Sequence, residues 1–77
     1  MFEELELVAL KTDLPDHGLR KGDVGTVVMV FDADNVEVEF VEASGDTRAL
    51  LTLSSRDVRK LAPDEMLSAR SVGSPLQ

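Results

Sequence analysis

His17 sits in the run Asp13-Leu14-Pro15-Asp16-His17-Gly18, and it is the single histidine of the chain. An imidazole beside Asp13 or Asp16 could serve as a general base, with a carboxylate fixing its tautomer. The same loop holds no serine or cysteine to act as nucleophile. The simpler reading is that His17 orders its own loop by hydrogen bonding. The loop still ranks first for partner contact, because binding residues concentrate on loops held by a rigid scaffold.

Three other groups have spacings that suggest chemistry. Gly22 and Gly25 resemble a phosphate cradle, but G-x-G-x-x-G and Gly-Lys-Ser/Thr are both missing, and no helix follows to supply a dipole. Turn and bulge geometry accounts for them. Asp32, Asp34 and Asn35 suggest calcium, yet an EF-hand loop needs a glycine at its sixth position, where this chain has Glu37. Glu37, Glu39 and Glu42 lie on or beside one strand. A glycosidase pair would need a buried carboxyl, and the alternation of Val36-Glu37-Val38-Glu39-Phe40 turns both acids outward. They read as a solvated face or an acidic docking surface. Partner contacts are therefore expected at Asp13, Asp16, His17, Glu37, Glu39 and Glu42. No catalytic residue, metal ligand or cofactor is expected.

The elements that must carry these residues are short strands. Leu5 to Leu10 alternates and then runs apolar, as a first strand entering a core does. Residues 11–22 form a long loop pinned by Leu14 and Leu19. Val24 to Phe31 is strongly β-forming and apolar on both faces, so it should bend between two sheets, with Gly25 permitting the bend or a bulge. Asp32-Ala33-Asp34-Asn35 is a turn by composition. Val36 to Phe40 is a period-two strand, and the segment 42–46 closes a hairpin. Thr47 to Leu53 follows, with Ala49, Leu51 and Leu53 on one face. Ser54-Ser55-Arg56 offers hydroxyl caps for one 3-10 turn. Asp57 to Leu61 is the last strand. Pro63 ends the domain, so residues 1–62 are expected to be the barrel. Residues 63–77 are expected to be a tail, part of it a short helix over 63–70.

The whole chain is 77 residues with no cysteine, which allows one domain and no disulfide or thiolate metal site. A core this small supports about 3–5 kcal/mol of stability. The N-terminus lacks the basic and apolar regions of a signal peptide, and no apolar run is long enough to span a bilayer. A cytoplasmic protein without membrane contact is the expectation.

The net charge of −7 is unevenly placed. Residues 1–46 hold twelve acids and three bases, residues 47–77 three acids and five bases. Too few cations are present to displace phosphate counterions, so DNA is not an expected partner. The acidic balance favours a basic protein. Arg48, Arg56, Arg59 and Lys60 form a basic half that could meet the acidic half of a second copy, giving a homodimer. RNA is disfavoured, because Phe2 is the one aromatic not expected in the core, leaving little to stack bases on.

Five short strands, a long first loop and a helical turn before the last strand make an all-β, SH3-like barrel layout. The segment Gly22-Asp23-Val24-Gly25-Thr26-Val27-Val28 followed by Val36-Glu37-Val38-Glu39-Phe40 is similar to the barrels of the electron-transfer accessory subunit of photosystem I, the nitrile hydratase β subunit and KOW modules. Six blocks more closely resemble the small bacterial domain of unknown function family 4926: Val8-Ala9-Leu10, Asp13-Leu14-Pro15, His17-Gly18-Leu19, Gly22 to Val28, Val36 to Phe40, and Ala49 to Leu53. The likeness covers residues 5–62. It implies a stand-alone barrel without an established activity. Gene neighbourhoods in that family suggest an antitoxin or immunity role. The expected function is thus a non-catalytic protein-binding module. The alternative is an accessory subunit of an enzyme or nucleoprotein.

Overall fold

Where alternation is strict, the chain forms strands, and where Gly, Pro and Asp cluster, it turns. The computed structural model describes residues 2–41, 45–62 and 64. The strands are β1 (Leu7–Leu10), β2 (Val24–Val30), β3 (Asn35–Val41), β4 (Thr47–Ser54) and β5 (Val58–Lys60). One antiparallel sheet contains all five in the order β4-β3-β2-β1-β5. A 3-10 turn at Pro15–His17 lies in the long loop, and a second at Ser55–Asp57 precedes β5. The protein is therefore an all-β domain of SH3-like layout. The hairpin residues 42–44, Glu42 among them, and the expected tail or short helix over 63–77, Asp64 apart, lie outside the described residues.

The core is the inner face of this curled sheet. Val8, Leu10, Leu19, Val27, Val36, Val38, Phe40, Leu53 and Val58 form one buried cluster, with Phe2, Leu14, Val30, Ala49 and Leu51 packed against it. Register explains the membership. Val36, Val38 and Phe40 of β3 face Leu53, Leu51 and Ala49 of β4, so one parity of each strand supplies the apolar layer.

The structure corrects three expectations. Gly25 is not a bend. It pairs with Val8 in a regular ladder, and a Cβ there would stand 2.6 Å from Val38 Cγ1, 2.8 Å from Phe40 Cε1 and 2.9 Å from the Glu39 carbonyl. Glycine is required because β3 lies too close for any side chain. The irregularity of β2 comes later, where the register with β3 shifts between Val27 and Met29. That bulge absorbs Val28 and reverses the parity beyond it. Val27 and Val30 face the core, while Met29 and Phe31 are exposed. Phe31, placed in the core by its sequence, is 50% exposed, whereas Phe2 packs on the core. Leu5, read as the start of β1, lies outside the strand, is exposed and has a φ of 69°.

Candidate functional site

The 11–22 loop is built from the inside out. Leu19 is buried and bridges Leu14, with Leu14 N donating to the Leu19 carbonyl at 2.9 Å and Leu19 N returning to Leu14 O at 3.1 Å. Between them Pro15 starts the 3-10 turn, and Gly18, at φ 68°, ends it in the left-handed region. The Arg48 guanidinium lies against Gly18, whose left-handed backbone is what calls for glycine there. Arg48 reaches there because the β3–β4 register shifts, Phe40 pairing with Ala49 but Val41 with Thr47. The extra residue of a bulge is re-aimed in this way.

Two acids, Asp13 and Asp23, hold the loop together. Asp13 Oδ1 accepts from Lys21 N at 2.8 Å. Asp23, 1% exposed, accepts from Arg20 N at 2.9 Å through Oδ2, and its own N–H donates to the Arg20 carbonyl at 2.9 Å. A buried carboxylate meeting a backbone N–H in this way fastens the loop exit to β2. Sequence reading missed Asp23. Its one signal was an acid wedged between Gly22 and Val24 at the mouth of a core strand. Asp16 and His17 are both exposed. Among the described residues no hydrogen bond joins the His17 ring to a carboxylate or hydroxyl, and no group of three or more His, Asp or Glu side chains converges as metal ligands.

The second candidate region is the outer face of β2, β3 and β4. Glu37 stands between Met29 and Thr52, and Glu39 between Thr26 and Leu50. Both glutamates are half-buried, less open than alternation alone suggests, because the central strand is flanked on both sides. Thr47 Oγ1 donates to Glu39 Oε2 at 2.7 Å, holding that carboxylate in place. Around the two acids, Met29, Phe31, Val41 and Leu50 are all exposed. The face is thus apolar with two carboxylates set into it. The sequence pointed to the acids. It did not reveal the apolar frame, which depends on the Val28 bulge and on the register of β4.

At one end of this face Asp32 closes the β2–β3 turn. Its Oδ1 accepts from Asp34 N at 2.8 Å and from Asn35 Nδ2 at 3.1 Å. The Asp34 amide, then the Asn35 side chain, hold the Asp32 carboxyl below the usual carboxylate range, since each bond favours the charged form. The Asp32 carboxylate has structural work in this turn, as expected.

The basic half divides. Lys60 Nζ lies 3.5 Å from Glu6 Oε2 and 5.9 Å above the Phe2 ring, Arg48 is at the loop, and Arg56 and Arg59 are exposed on the second 3-10 turn and β5. Among the described residues no helix is long and apolar enough to cross a membrane.

No curated protein and no solved structure matches the chain. A family model described as Domain of unknown function (DUF4926) matches residues 4–60, the stretch that runs from the Leu5 turn through both candidate regions to the end of β5. The chain belongs to that family, whose description assigns no catalytic activity.

Proposed function

We propose that this protein is a non-catalytic protein-binding module whose contact surface is the outer face of β2–β3–β4. The observation that carries the reading is the set of exposed Met29, Phe31, Val41 and Leu50 around the half-buried Glu37 and Glu39. The apolar side chains supply area to remove from water, and the carboxylates select a cationic partner and fix its register. The partner chemistry is an amphipathic segment carrying lysine or arginine beside its apolar residues, complementary to a chain of net charge −7. Steering between such surfaces weakens with salt.

The test uses a 14-residue synthetic peptide of lysine and leucine in amphipathic order, with a glutamate–leucine peptide of the same pattern as control. Titration calorimetry should show the lysine peptide binding and the glutamate peptide failing to bind. E37K/E39K should weaken the lysine peptide by tenfold or more. Equal affinity of the two peptides, or of wild type and double variant, would remove the proposal.

A further inference from the structure

Leu5 occupies a backbone position built for glycine. Its N–H donates to the Val27 carbonyl at 2.6 Å, and Val27 N donates to the Glu6 carbonyl at 2.9 Å. Two residues therefore oppose one, with the first at φ 69°, the arrangement of a G1 bulge, in which that first residue is normally glycine. Glu6 N also donates to Glu3 O at 3.2 Å, so Leu5 is the third residue of a four-residue turn closed at Glu3 and Glu6. A positive φ there again calls for glycine or asparagine. Among the described residues Leu5 is the one non-glycine with positive φ; Gly18, Gly22 and Gly45 carry the others.

The turn is braced into this conformation. Glu6 Oε1 accepts from Glu3 N at 3.0 Å, and Glu6 Oε2 faces Lys60 Nζ at 3.5 Å. Strain of this kind persists where the surroundings over-determine it, and it clusters at binding sites. The Leu5 side chain gives nothing back to the fold, being 78% exposed. Its backbone is tied to Val27 of β2, two residues along the strand from Met29 of the outer face. Glu3, Glu4 and Glu6 surround it with negative charge.

We propose that the Glu3–Glu6 turn is a second contact point of the docking surface, with Leu5 as a preorganised apolar anchor for a socket rimmed by lysine or arginine on the protein partner. This rests on the docking reading above and extends it to a residue off the sheet. The exposed Glu3 and Glu4 beside it match the same cationic partner chemistry as Glu37 and Glu39, while the Glu6 carboxylate is engaged within the fold. Holding the backbone that carries the leucine in one conformation before contact lowers the ordering cost of binding.

The test compares wild type, L5G and L5N, both substitutes being tolerant of the left-handed region, by thermal unfolding and by calorimetric titration with the lysine–leucine peptide. Relief of the left-handed backbone should outweigh the extra freedom glycine gives the unfolded chain, so L5G should melt at or above the wild-type temperature. Both variants should bind the peptide about tenfold more weakly, the loss of one buried leucine contact. Unchanged affinity in L5G and L5N, with wild type binding, overturns the anchor and leaves the sheet face standing. Absence of wild-type binding overturns both. A lower melting temperature for L5G would mean that the side chain supports the fold, and would also overturn the anchor.

Discussion

The 11–22 loop and the outer face of β2–β4 differ in how they use their chemistry. The loop has the residues that look functional, an imidazole with acids and glycines about it, yet Asp13 and Asp23 are bonded to backbone amides at its exit and Gly18 ends the 3-10 turn in the left-handed region. The sheet face looks plain in sequence, yet it holds exposed Met29, Phe31, Val41 and Leu50 whose burial the fold does not need. Acids at the ends of a long connection can thus be consumed in holding it closed, while binding capacity rests in side chains the fold leaves unspent.

The largest effect expected is from Leu19→Ala, which removes the buried anchor of the loop. A loss of about 2–5 kcal/mol is comparable with the whole stability of a domain this size, so chemical denaturation should find the variant largely unfolded at 25 °C. Gly25→Ala follows. It strikes the β2–β3 seam beneath the outer face, and the Glu39 carbonyl at 2.9 Å cannot rotate away as a side chain could. A cost of about 1–3 kcal/mol is expected from overpacking. If Gly25→Ala proves neutral by urea titration, the close approach of β3 to β2 is wrong.

The third variant sharpens the contrast. Asp13→Ala removes the acceptor of the Lys21 amide, an exposed bond worth at most about 1 kcal/mol. It should loosen the loop, read as faster amide exchange at Lys21, and leave peptide affinity unchanged. Weaker peptide binding in Asp13→Ala would give the loop a contact role after all.

The smallest effect concerns pH. The Asp32 carboxyl is held below its ordinary value of 3.8, so its contribution to stability is present above that pH and is lost as pH falls through the lower folded-state value. Asp32→Ala should narrow the stability difference between pH 6 and pH 2, measured by thermal unfolding. An identical pH profile in both proteins would mean that the turn does not hold the charged carboxylate.

Much of the fold was legible because strict period-two strands announce their inner face. Val36, Val38 and Phe40 proved buried, opposite the expected Ala49, Leu51 and Leu53. Ser54 caps the expected 3-10 turn, its hydroxyl accepting from Arg56 N at 3.2 Å. What escaped is non-local. Gly25 is demanded by side chains more than ten residues away, a distance at which local pattern carries no signal. A single bulged residue, Val28, exchanges the faces of the residues between it and the β2–β3 turn, so Met29 and Phe31 could not be assigned from an apolar run. Leu5 continued the alternation of β1 in sequence but sits in a turn set by pairing with Val27. Of the site, Glu37 and Glu39 were readable as outward-facing, while their apolar frame was not.

The decisive measurement is a map of backbone amide shifts on titrating the ¹⁵N-labelled protein with the lysine–leucine peptide. The perturbed amides should fall in 26–31, 37–41 and 47–52, and at the Glu3–Glu6 turn, with Asp16 and His17 unmoved. Shifts concentrated in 12–22, with the outer face silent, would contradict docking on the sheet.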